Sequence, residues 1–183
     1  LSAIEAAGYL SDRNLHSYEE FDLAVRLRVM NWQLWRLPLD AANHFGHDVP
    51  PYQLLVQRWR SCYVCGLGEL ARAAADQSHL HMVWRGVLEL QLYTVVLAWW
   101  GILISVAFWP LSVPARLAFF FALAVAPVLF MMWRKRSVVK AVYSVTSWCF
   151  NAAGLIRGFL STPRPVRDAI SSRVLQDSVS VSS

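Results

Sequence analysis

Two adjacent carboxylates, Glu19 and Glu20, sit in the stretch Ser17-Tyr18-Glu19-Glu20-Phe21-Asp22. A carboxylate held rigidly within hydrogen-bond reach of a hydroxyl acts as a general base, and a helix N-terminus holds one well. The same acids also have a plainer use. Ser17-x-x-Glu20 is a capping box, and acids are favoured at the positive end of a helix dipole. Two histidines, His44 and His47, flank Gly46 in the loop Asn43 to Asp48. Imidazole suits a metal or an anionic group, and it equally suits a polar surface loop. Cys62 and Cys65 form a single Cys-x-x-Cys. With His44 and His47 they would complete a two-Cys, two-His zinc site. Their place inside a helical pattern, with Gly66 and Gly68 after them, favours two inert cysteines on a helix instead.

The run from Glu19 to Trp32 resembles the acidic motif of inverting glycosyltransferases with the GT-A fold, glycosyltransferase family 2. There the pattern reads acid-acid-x-Asp-Leu-x-x-Arg-Leu-x-x-x-Gly-Trp. Glu19, Glu20, Asp22, Leu23, Arg26, Leu27 and Trp32 fall on it, and Asn31 replaces the Gly. The resemblance covers Gly8 to Ala75. It implies that Glu20 is the base that activates a sugar hydroxyl, one methylene longer than the Asp usual in the family. It implies that Glu19 is the supporting acid and that Asp22 belongs to the substrate site. His44 is implied to contact the metal or the nucleotide diphosphate. Gln57-Arg58-Trp59 looks like the end of the Gln-x-x-Arg-Trp motif of processive relatives, which lies near the acceptor and the leaving diphosphate. Leu55 stands where its first Gln belongs, which argues against processive synthesis. Enzymes of this kind also carry a nucleotide-binding βαβ half, whose Asp-x-Asp holds a divalent metal, Mg or Mn. The chain has no Asp-x-Asp and no room for that half before Ser17. The metal is therefore expected only together with a missing half, lost or carried on a separate chain. A start at Leu1 rather than Met agrees with a fragment.

The elements that must position these residues follow from patterning. A helix is expected from Tyr18 to Met30, with Leu23, Leu27 and Met30 on one face and an Asp22–Arg26 pair at i,i+4. Trp32 to Leu39, aromatic-rich and stopped by Pro38, reads as an edge strand. Pro50-Pro51 opens a long helix, roughly Tyr52 to Ala75. Its apolar stripe is Leu55, Trp59, Cys62, Gly66 and Leu70.

Composition then changes along the chain. Of the 183 residues 56% are hydrophobic, and the mean hydropathy is +0.37. Residues 1–86 mix charged and apolar types, whereas 87–133 are almost free of charge. Leu92 to Trp109 is long enough to span a bilayer, and Leu117 to Trp133 is near the lower limit, with Pro127 inside it. Arg116 alone lies in the turn between them, while Arg134, Lys135, Arg136 and Lys140 follow at once. The positive-inside rule puts both flanks in the cytoplasm. Val138 to Leu160, interrupted by Lys140, Asn151 and Arg157, reads as a helix lying in the cytoplasmic interface. A net charge of +5 is explained by these flanks without nucleic acid. The uncharged centres of both spans argue against a transporter.

The expected fold class is thus a mainly α membrane protein with four parts. Residues 1–86 are the C-terminal piece of an α/β GT-A domain. Residues 87–133 form a transmembrane hairpin. Residues 134–175 form an interfacial helix and basic segment, and 176–183 a disordered tail. The expected function is the acceptor-side half of an inverting enzyme in the cell inner membrane, multi-pass, with its catalytic portion cytoplasmic. It would move a sugar from a nucleotide-sugar donor to a lipid-linked or polysaccharide acceptor. The competing expectation is a non-catalytic membrane anchor or scaffold for a partner protein.

Overall fold

The computed structural model describes residues 2–35, 38, 49–77 and 79–166. A short helix, α1 (Ser2–Ala6), is followed by Gly8, whose φ of 84° only glycine adopts freely. Helix α2 (Glu19–Val29) has Glu19, Glu20 and Asp22 in its first turn and Arg26 and Arg28 in its last. That distribution complements its dipole. The expected capping box does not form. Tyr18 holds the N-cap position with a left-handed φ of 69° and no side-chain cap bond. The Ser17 hydroxyl instead donates to the Tyr63 carbonyl at 3.0 Å. A tertiary bond has displaced the local one.

The C-terminus of α2 explains the replaced glycine. Asn31 takes the left-handed conformation, φ 62°. The Asn31 N–H then reaches Arg28 O and the Trp32 N–H reaches Leu27 O, each at 3.0 Å. These are the two bonds of a Schellman motif, in which Asn is the residue best able to stand in for Gly. Beyond it the strand expected over Trp32 to Leu39 is not formed at the described residues Trp32 to Trp35 and Pro38. Trp32 to Trp35 are unpaired, and no strand occurs among the described residues to pair with them. The rest of that expectation lies outside the described residues.

The expected single helix from Tyr52 to Ala75 is two helices. Helix α3 (Pro51–Arg60) starts with Pro at a favoured first position. Cys62, in the left-handed region at φ 58°, stops the helical path. A 3₁₀ turn (Tyr63–Cys65) follows, and then α4 (Gly66–Asp76). The break turns α4 onto the long helix α8 (Val138–Phe159). Side chains are absent where the backbones meet. A Cβ on Gly68 would collide with the Leu155 carbonyl, and one on Gly154 or Gly158 with the carbonyls of Val64 or Cys65.

Helix α5 (Leu80–Gly86) leads into α6 (Leu88–Ser105), which a 3₁₀ turn (Val106–Phe108) extends. Helix α7 (Val113–Lys135) runs through Pro127 without ending. Leu88–Phe108 and Val113–Lys135 are long and apolar enough to cross a membrane. Only 17% and 6% of the residues in their apolar windows are buried, so both helices are mostly exposed. One core gathers Leu15, Leu67, Leu70, Val83, Val87, Leu90 and Leu155. A smaller one joins Met131, Ala141 and Val145, with Trp99 and Trp148 against it. Helix α8 contributes to both cores. The chain is mainly α-helical, with two candidate spans.

Candidate functional site

Helix α2 divides its charges between two faces. Glu20, Ala24 and Arg28 recur every fourth residue and line a cleft of about 960 Å³. Its other walls are Ser17, Tyr18 and Phe21, the extended Leu34 and Trp35, and Tyr63 from the 3₁₀ turn. Glu20 and Arg28 are exposed, so a carboxylate and a guanidinium face solvent within an aromatic frame. Burial, with the negative charge of Glu89 nearby, pushes the Tyr18 phenol up to about 12. At neutral pH Tyr18 is therefore a hydrogen-bond donor at the cleft wall. A carboxylate acceptor, cationic and phenolic donors and flat aromatic rings are the groups that hold a polyhydroxylated ligand.

The opposite face carries Asp22 and Arg26. Asp22 is 1% exposed, and its Oδ2 accepts from Arg26 Nε at 2.9 Å. Arg26 Nη1 also donates to the carbonyls of Ala7 and Tyr9, each at 2.8 Å, and the guanidinium lies 3.8 Å over the Tyr9 ring. Burial raises the Asp22 carboxyl above the ordinary carboxylate range, against the opposing pull of Arg26. This assembly ties the end of α1 to α2. Asp22, expected at the substrate site, does not line the cleft. Glu19 is half-buried and does not line it either.

Arg58 and Trp59 are separated although adjacent in sequence. The Arg58 guanidinium lies 5.2 Å over the Tyr63 ring, behind the cleft wall. Trp59 packs edge-on against Phe150 at 5.9 Å, with Arg157 over its other side. It lines a different, largely apolar cleft of about 420 Å³ with Trp100 and Cys149. Neighbours on a helix point about 100° apart, so an acceptor site cannot use both from one side. His44, expected as a metal or diphosphate contact, lies outside the described residues, as does His47. Among the described residues no cluster of three His, Cys, Asp or Glu side chains can hold a metal. Among the described residues Glu20 is the single acid lining the cleft, so these residues by themselves do not fit a divalent ion.

Sequence reasoning missed Tyr18, Trp35 and Tyr63 as cleft walls, and it missed the pairing of a buried acid with an exposed histidine. Glu69 is 3% exposed in the apolar stripe of α4. Its carboxylate accepts from the His16 backbone at 3.0 Å and lies 2.9 Å from His16 Nδ1. An acid inside an apolar stripe is the signal that pointed to it. No family model, curated protein or solved structure matches the chain.

Proposed function

We propose that the chain is the acceptor-side, membrane-anchoring half of an inverting glycosyltransferase. It transfers a sugar from a nucleotide-sugar to a lipid-linked or polysaccharide acceptor. The observation that carries this reading is Glu20, exposed on the first turn of α2 inside the aromatic cleft. Glu20 takes the proton from the acceptor hydroxyl as its oxygen attacks the anomeric carbon. Tyr18 and Arg28 donate to other acceptor oxygens, and the Trp35 ring stacks on a sugar face. The donor's diphosphate and its metal belong to a nucleotide-binding half, of the α/β GT-A kind, that completes the site.

Exposed Arg134, Lys135, Arg136 and Lys140 at the end of the hairpin support an inner-membrane protein with both flanks in the cytoplasm. Cysteine labelling in intact cells tests that orientation, with Ser112→Cys reactive from outside and Ser137→Cys protected. The catalytic reading is tested on membranes carrying the whole protein, supplied with labelled nucleotide-sugars. Transfer into lipid or glycan that disappears when the gene is deleted supports it, and unchanged transfer refutes it.

A second reading, a non-catalytic anchor, is favoured by the exposed apolar run of Val29, Met30, Trp32, Leu34 and Trp35, a surface fit to bind a partner. Under it Glu20 is dispensable.

A further inference from the structure

Cys62 and Cys65 are not two inert positions on one helix. They bracket the break between α3 and α4. The Cys65 N–H donates to the Cys62 carbonyl at 2.8 Å, closing a one-turn loop. Tyr63 and Val64 carry a 3₁₀ path from Cys62 to Cys65, and at a rise of about 2 Å per residue this leaves the two Cα atoms about 6 Å apart. Disulfides need about 4.4–6.8 Å. Both thiols are reduced. Cys62 is half-buried and reachable from solvent, whereas Cys65 is 2% exposed.

We propose that Cys62 and Cys65 are a reversible dithiol–disulfide site, oxidised by low-molecular-weight disulfides, whose state sets the position of the cleft wall at Tyr63. The Cys62 thiolate attacks one sulfur of the small disulfide. That S–S bond breaks, and one thiol leaves with a proton. Cys65 then loses its proton and attacks Cys62 Sγ of the mixed disulfide, releasing the second thiol. Two protein thiols are oxidised by two electrons, and one small disulfide is reduced to two thiols. The order follows from access, since only Cys62 can be approached. Burial and the neighbouring Cys62 push the Cys65 thiol up to about 11. The reduced pair therefore gains nothing from a stabilised Cys65 thiolate, and the disulfide, once formed, resists mild reductants.

The coupling to the cleft is steric. The turn is clamped on one side by α8, where Gly154 and Gly158 admit the carbonyls of Val64 and Cys65 at close approach. On the other side Gly66 lies against Ser17, and the Ser17 hydroxyl holds Tyr63 O. Torsional change on closing the disulfide cannot move into α8. It passes to Tyr63, whose exposed ring lines the cleft, and to Ser17, three residues before Glu20.

The test uses the full chain in membranes, equilibrated with glutathione buffers of graded reduced-to-oxidised ratio. Samples are acid-quenched, unfolded and alkylated, and the peptides are analysed by mass spectrometry. An internal Cys62–Cys65 disulfide with Cys149 alkylated is expected. Both cysteines alkylated at every ratio, or a stable glutathione adduct on Cys62 with Cys65 free, overturns the site. Hydrogen exchange of the Ser17–Phe21 amides reads the coupling. A severalfold change between oxidised and reduced wild type is expected, absent in Cys62→Ser under the same oxidant. A disulfide that forms with no change there overturns the link to the cleft. Neither readout uses sugar transfer, so both stand apart from the proposed activity.

Discussion

Glu20 and Asp22 stand two residues apart on the same first turn of α2, and their surroundings are opposite. Glu20 is exposed in a cleft among aromatic rings, with no ion pair to a cation among the described residues. Asp22 is sealed beneath the helix, bonded to Arg26, which in turn holds the carbonyls of Ala7 and Tyr9. An acidic motif is therefore not one functional unit. One carboxylate is open to solvent in the cleft. The other fixes the helix that presents it. The rest of the molecule repeats this division: the α6–α7 hairpin is apolar and exposed, whereas α2 and α4 bury charged groups in specific pairs.

The largest effect on stability belongs to the buried face. Asp22→Ala leaves the Arg26 charge buried without its partner, which costs about 3–5 kcal/mol. Chemical denaturation of the membrane-reconstituted chain measures this directly. Transfer per folded molecule should be unchanged, and a specific loss of transfer would make Asp22 part of the site after all. An added methyl at the α4–α8 approach comes next. Gly154→Ala forces the backbones apart at a cost of about 1–3 kcal/mol, read by the same denaturation.

Asn31→Ala should cost about 1 kcal/mol, the penalty for an ordinary residue in the left-handed region, while Asn31→Gly is neutral. Equal losses in both variants would show that the Asn31 side chain, rather than its backbone, ends α2.

The smallest effect at working pH is that of Tyr18. Its folded value lies near 12 against an ordinary 10, so the folded state holds the proton more tightly than the unfolded one. The stability this provides is fully present below pH 10 and is lost as pH rises through 12. Tyr18→Phe should lessen the alkaline decline, to which Cys65 also contributes. An unchanged decline would show that Tyr18 takes no part in it.

Local chemistry was legible in the sequence and distant chemistry was not. The Asp22–Arg26 pair follows from i,i+4 spacing, and the end of α2 near Met30 from its helical pattern. The two candidate spans follow from charge-free runs. Both start earlier than expected, at Leu88 and Val113, the first because Leu88 to Gln91 are already helical despite Glu89. What spacing cannot carry is a partner 46 or 53 residues away. The Ser17–Tyr63 bond replaced the predicted cap, and the His16–Glu69 pair explains an acid in an apolar stripe. The break at Cys62 was invisible because neither glycine nor proline marks it; tertiary fit against α8 sets that backbone. The strand expected after Trp32 has no neighbouring strand among the described residues, so aromatic composition alone could not make it one.

The central claim is that Glu20 is a base and Asp22 a brace. It is tested most directly by Glu20→Gln, assayed for sugar transfer and for melting temperature in the same membranes. The amide keeps the size of the side chain and cannot take a proton. Transfer should fall by ~10²–10⁴-fold, with the melting temperature within a degree or two of wild type, roughly the shift of a few tenths of a kcal/mol. Near-wild-type transfer by Glu20→Gln would contradict the account and leave Glu20 as no more than an acid at a helix N-terminus.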